Sequence, residues 1–280
     1  MAAKYNRAVK QNNPTNDYIL ISSNEEAKAL FQRIHRNKHN IVTLGLDVES
    51  VELGSSVVCI VQIKIQDESP YIIDIYGSKI DLKATLFNEI MKSEEIEKVT
   101  HDPRNDSRML YETFQTEMRY VFDTQTFQMT VENQSSQALT TRRLQCQRKS
   151  LDFIYVKYVG RFPNQKLKDD MKSQMSEDQT IWLRRPLTRE MALYAALDVE
   201  TLLPIRFAMS KYLTDMEDGK RIAFLKTYNE LCAESIYTPL PIVNSEINKR
   251  KRLREFEEAK RLQMLGIQLN KKEIKLIRSF

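Results

Sequence analysis

Residues 44–50 read LGLDVES and residues 195–201 read AALDVET, so the tetrapeptide LDVE occurs twice, roughly 150 residues apart. Its carboxylates could do acid chemistry, but only as the backbone beneath them allows. On a strand, residues i and i+2 share a face. Asp47 and Glu49 then project together, with Val48 turned to the opposite layer. Carboxylates held that close repel, and each raises the other's pKa unless a cation lies between them. Hard oxygen ligands of this kind suit Mg²⁺ or Mn²⁺. The plain alternative for Asp-x-Glu is a strand end facing solvent. On a helix, i and i+2 lie about 200° apart, so Asp198 and Glu200 diverge. There the same-face neighbour of Asp198, one turn back, is Tyr194. Tyr194 could equally be a core tyrosine on an inward helix face. The two copies are thus not a repeat.

A third acidic candidate is Asp106 in KVTHDPRNDSRML, after a short strand at 98–101 and near the start of a helix. Strand ends of such sheets often meet at one edge, where ligands bind. The alternatives are that Asp106 merely caps the helix at 107–114, or that Asp102 takes any functional role. The order strand–HDPRN–Asp–helix favours Asp106. For His101, a buried, hydrogen-bonded histidine is the better reading.

The elements that must carry these residues can be read from periodicity. NEEAKALFQRIHRN (24–37) places Ala27, Leu30, Phe31 and Ile34 at helical spacing, with Asn24 as N-cap. Strands are expected at 41–49, 56–65 and 71–76, and their short links suggest antiparallel neighbours. Next come helix 82–93, strand 98–101, helix 107–114, strand 120–125 and a further helix. That alternation implies parallel strands with crossover helices. The expected fold is α/β: a mixed sheet, three antiparallel strands then a parallel βαβ segment, flanked by helices. Residues 137–213 read as helical, with Gly160 ending one helix and Thr188 capping another. Pro204 predicts a kink or break near residue 203.

Composition bounds the rest. With 280 residues, 41% hydrophobic and 29% charged, the chain suits one main globular domain plus extensions. No apolar run reaches the roughly 18–20 residues that span a bilayer, so no membrane role is expected. The N-terminus lacks the apolar segment of a secretory signal. Three scattered cysteines and three histidines offer no zinc site. The cysteines read as reduced thiols of a nuclear or cytoplasmic protein. Residues 249–280 hold 11 Lys/Arg against 4 Asp/Glu, a balance of +7, which leaves −2 for the rest of the chain's +5. A basic tail commonly meets nucleic acid or an acidic partner. A solvated helix face is the alternative, since REFEEAKR alternates signs.

Taken in order, these motifs resemble the DEDDy 3′–5′ exonucleases, the ribonuclease D-like family within the ribonuclease H-like fold. Asp47 and Glu49 match its Asp-x-Glu strand, His101 and Asp106 its second motif, and Tyr194 and Asp198 its Tyr-x-x-x-Asp helix. FDTQ (122–125) and WLRRPLT (182–188) look like further landmarks, and HDPRNDS with EDQTIWLRRPLT is most like Egalitarian-type exonuclease domains. The resemblance covers roughly residues 25–213. One departure is the turn before the second strand, where Gly54 is followed by serines.

The resemblance implies two-metal hydrolysis of a phosphodiester, with two divalent ions, Mg²⁺ or Mn²⁺. Asp47 would bridge both ions, Glu49 and Asp198 would complete one shell, and Asp106 would hold the other, largely through water. Tyr194 would orient the attacking water. The substrate would be the 3′ end of single-stranded RNA, or of DNA, with Arg104, Arg184 and Arg185 as candidate strand contacts. The competing reading is an RNA-binding adaptor or scaffold on an exonuclease-like fold, which loss of a metal-binding carboxylate would favour. All five positions are present. The expected domains are a disordered N-terminus (1–16), a 3′–5′ exonuclease domain (17–213) and a helical, basic C-terminal extension (214–280), through which protein partners could bind.

Overall fold

The protein was analysed as a computed structural model that describes residues 18–52, 56–135, 148–237 and 274. The expected N-terminal disorder, the Gly54 turn and the basic stretch 249–280, Ile274 apart, fall outside the described residues.

Strand β1 (Ile19–Ile21) leads into helix α1 (Asn24–Arg36), which buries the predicted stripe Ala27, Leu30, Phe31 and Ile34. Each such fully buried large side chain contributes about 1.5–3 kcal/mol. The N-cap is Ser23, not Asn24: Ser23 Oγ accepts the Glu26 N–H, while Asn24 Oδ1 accepts the Asp81 N–H instead. Strands β2 (Thr43–Glu52), β3 (Ser56–Ile65) and β4 (Tyr71–Asp74) form the expected antiparallel trio. A short helix α2 (Ile75–Ser78) and a 3-10 turn (Leu82–Ala84) precede α3 (Phe87–Lys92). Then β5 (Glu97–Thr100), α4 (Arg104–Phe114), β6 (Val121–Asp123) and α5 (Thr124–Ser135) make the parallel half.

The sheet order is β1-β4-β3-β2-β5-β6. Strand β1, parallel to β4 at the edge, had no sequence signal long enough to find, being three residues. One face of the sheet (Leu44, Leu46, Val61, Ile63) packs on α1, α3 and α4. The other face carries α7 (Gln165–Glu177) and α8 (Arg189–Thr214), with α6 (Leu151–Tyr158) beside them. Helices therefore flank both faces. The arrangement is a ribonuclease H-like mixed sheet.

Two expectations about the helices need correction. Helix α8 runs unbroken through Pro204. Pro204 is exposed, so the Glu200 carbonyl it leaves without a donor can turn to water on the solvent side. Helix α4 begins at Arg104, three residues early, so Asp106 lies within its first turn and is not its cap.

Helix α9 (Asp218–Ser235), assigned by sequence to the C-terminal extension, buries Phe224, Tyr228 and Cys232 against Phe122 and Phe127. Tyr228 Oη accepts the Asp123 N–H at 3.0 Å. Beyond it, the Tyr237 N–H reaches Ser107 Oγ at 2.8 Å, beside Asp106. The compact unit accordingly runs to Tyr237.

Candidate metal centre

Asp47 and Glu49 lie on the face of β2 that α8 covers, as strand alternation requires. A bulge after Glu49 sets Glu49 opposite Ile60 but Ser50 opposite Val58, leaving Cys59 as the extra residue. Bulges commonly re-aim side chains at sites. Helix α8 can approach because β2 has a glycine beneath it: a Cβ on Gly45 would come within 3.1 Å of the Val199 carbonyl oxygen. That close approach brings Asp198 to the strand. Ligand oxygens of Asp47, Glu49 and Asp198 all lie within 4.8 Å of one another.

Asp106, in the first turn of α4, is not one of these three but lies near enough for charge to act between it and both Asp47 and Glu49, and there a carboxylate also complements the helix dipole. Burial raises its pKa well above the usual range, and the charges of Asp47, Asp102 and Asp123 raise it further. Burial likewise pushes Asp47 up to about 7, with Asp198 adding to the rise and Lys168 opposing it. Glu49 is raised for the same reason, burial first, then Asp47 and Asp198. Like charges crowded without enough compensation are what a divalent ion resolves.

Asp102 is otherwise engaged. It sits at φ 57°, its N–H donates to Asp123 Oδ1, and its carboxylate takes Arg104 through two bonds of 2.5 and 2.6 Å. His101 has Nε2 3.1 Å from the Lys149 carbonyl and Nδ1 2.9 Å from Thr124 Oγ1. Burial lowers its pKa. It ties the chain at residue 149 to β5 and α5, as a structural histidine would.

Tyr194, one turn before Asp198, is 5% exposed, with its ring 6.1 Å from that of Trp182. Burial, then the charges of Asp198, Glu49 and Asp47, hold its hydroxyl far above the ordinary tyrosine range. It therefore keeps its proton and can donate a hydrogen bond. Glu200 points away from the cluster, pairing with Lys64 at 2.7 Å.

The three arginines divide. Arg185 is drawn inward onto Asp74, Trp182 O, Arg184 O and Cys59 O, so it is withdrawn from the surface role expected of it. Arg184 is exposed and pairs with Asp178 at 2.7 Å. Arg104 stays on Asp102 and is half-open.

One residue of the site escaped the sequence reading. Lys168 on α7 is 4% exposed, its ammonium bonded to Asp198 Oδ1 and 3.2 Å from Tyr194 Oη. The signal was faint. In a helix that reads as polar, Lys168, Met171 and Met175 fall at i, i+3 and i+7, so a lysine occupies a position of the inward stripe. Four carboxylates against one ammonium leave the pocket acidic, and its all-oxygen donor set fits a hard divalent cation.

The family model described as 3′–5′ exonuclease matches residues 18–214. Among solved structures, the chain is similar to the Aedes aegypti Nibbler EXO domain: 21% identity, TM-score 0.57, covering 78% of this chain and all of that one. Trypanosoma brucei RNase D is 18% identical, with TM-score 0.60 and coverage of 82% and 78%. Escherichia coli RNase D, an exoribonuclease involved in structured RNA processing, is 19% identical, with TM-score 0.55, and the match spans 86% of this chain and 55% of that one. No curated protein sequence matches. Among the described residues, no helix is long and apolar enough to cross a membrane.

Proposed function

The chain belongs to the 3′–5′ exonuclease family, and from that premise we propose that it hydrolyses the 3′-terminal phosphodiester of single-stranded RNA, by a two-metal mechanism. The observation that carries this reading is the convergence of Asp47, Glu49 and Asp198 from β2 and α8, with Asp106 of α4 within reach of their charge. Two divalent ions, Mg²⁺ or Mn²⁺, would supply Lewis-acid stabilisation of the attacking and leaving oxygens. Asp47, which shares the cluster with Glu49 and Asp198 and whose charge also acts on Asp106, would be the ligand common to both ions. Tyr194 Oη stays protonated and orients water by donating a hydrogen bond; it does not act as a base. Gly45 and the small Ala195 and Ala196 keep α8 tight on the sheet, so the carboxylates cannot spread apart as charge develops.

RNA is preferred to DNA as substrate because the neighbours include RNase D of two organisms, one of them solved as a complex with RNA U12. Arg104 and Arg184 are the remaining candidates for strand contact. The deciding experiment uses 3′- and 5′-labelled single-stranded RNA and DNA with Mg²⁺, Mn²⁺ or EDTA, beside Asp47→Asn. Stepwise shortening from the 3′ end, lost with EDTA and in Asp47→Asn, is expected. Retained RNA binding with no metal-dependent shortening would establish the adaptor reading instead.

A further inference from the structure

Lys168 stands where a charged side chain is least expected, at 4% exposure on the inward face of α7. Its ammonium bonds Asp198 Oδ1, lies 3.2 Å from Tyr194 Oη and sits 4.3 Å from the centre of the Tyr194 ring. An ammonium has three donors, and among the described residues only these two acceptors are recorded for it. A lysine kept for fold alone finds a third, as the buried ammonium of Lys98 does on the carbonyls of Ile90, Ser93 and Ile96.

The helix does not depend on this contact for its place. Asn164 caps α7 by accepting the Leu167 N–H, Lys172 pairs with Asp152 at 2.9 Å, and Met171 is buried against the core. The four-carbon stem of a lysine can therefore withdraw its charge while α7 stays put. Asp198, by contrast, belongs at once to the ammonium and to the carboxylate cluster. A divalent ion seated among those oxygens would compete with the ammonium for the same carboxylate and repel it at close range.

We propose that Lys168 is the internal counter-cation of the site: it neutralises Asp198 when no divalent ion is bound, and ion loading proceeds by expelling its ammonium. The inference rests on the metal-bearing reading above. It gives the pocket a defined metal-free state and sets a threshold of ion concentration below which the carboxylates stay paired with the protein's own cation. Lys168 is on this account a positioning residue for the ion, and its signature is ion affinity, independent of turnover.

The test is Mn²⁺ binding to the purified full chain, by titration calorimetry and by the paramagnetic signal of free Mn²⁺, with thermal unfolding alongside. Lys168→Met and Lys168→Gln are expected to bind Mn²⁺ about tenfold more tightly than the unaltered protein, or about 1.4 kcal/mol. Their unfolding temperatures should fall without the ion and return to the unaltered value with it. Lys168→Arg, which keeps the charge, should show no gain in affinity. Unchanged or weaker Mn²⁺ binding in both neutral variants would overturn the proposal while leaving the metal centre standing. If no protein, altered or not, shows Mn²⁺ binding that Asp47→Asn removes, the metal centre itself fails and the proposal with it.

Discussion

Two buried ion pairs lie on the same side of the sheet: Arg185 with Asp74, and Lys168 with Asp198. The first lies two strands from the carboxylate cluster, since Asp74 on β4 pairs with Ile60 on β3, which pairs in turn with Glu49 on β2. The first pair is closed. Arg185 binds both oxygens of Asp74 and three backbone carbonyls, and Asp74 also accepts the Gly77 N–H at 2.9 Å. The second is open: one ammonium faces Asp198 and Tyr194 with Asp47, Glu49 and Asp106 crowded behind them. Ion pairs removed from water are stable when every donor and acceptor is matched. A group that leaves charge unmatched is held in place by its surroundings and stands ready for a ligand.

The sharpest way to break this comparison is to neutralise each acid in turn. Asp198→Asn is expected to lower 3′-end shortening by about 10²–10³-fold, the scale of losing one electrostatic stabiliser of a transition state. Its metal-free unfolding temperature should hardly change, because Asp47 and Glu49 still face the ammonium. Asp74→Asn should do the reverse. It strands the Arg185 guanidinium, with a stability loss of about 3–5 kcal/mol, and leaves the activity of the folded fraction within about twofold. Denaturant unfolding beside the RNA assay checks both. Similar behaviour of the two variants would erase the distinction.

Proton linkage provides a middle-sized test. Asp47 holds its proton up to about 7 in the folded chain, against an ordinary value of 3.8. The folded state therefore binds the proton more tightly than the unfolded one between those limits, and metal-free stability falls as pH rises from about 4 to about 7. A higher metal-free unfolding temperature at pH 5.5 than at pH 8 is expected, with Mn²⁺ raising it more at pH 8. Asp47→Asn should flatten the slope. The smallest effect belongs to Glu200→Gln. Glu200, itself partly exposed, meets the buried Lys64, whose ammonium also keeps the Glu68 carbonyl, so activity should be unchanged and stability lowered by about 1–3 kcal/mol. Glu49→Gln, two residues beyond Asp47 on β2, is the contrasting control in the same assays.

Much of the framework was legible because its signals are local. The period of two in IVTLGLDVE put Asp47 and Glu49 on one face, and the period of 3.6 put Tyr194 beside Asp198 while sending Glu200 away. The three-residue strand β1 was too short to register, and Pro204 misled because its local penalty is met by solvent exposure. Helix α9 read as an appendage since nothing local reveals that Tyr228 reaches the Asp123 N–H, 105 residues away. Arg185 looked like a surface arginine because the acceptors that claim it come from β4, β3 and its own turn.

By itself the sequence determined which residues could bind a hard cation and, for Asp47, Glu49 and Asp198, on which face of which element each would stand, because side-chain direction follows from backbone period. Only the tertiary structure decided how charge balances there. It seated Lys168 against Asp198 and closed Arg185 onto Asp74, and it let α8 press on Gly45 until three carboxylates came within 4.8 Å. Charge compensation depends on distance in space, and the partners that set it here are separated by 30 and 111 residues of chain.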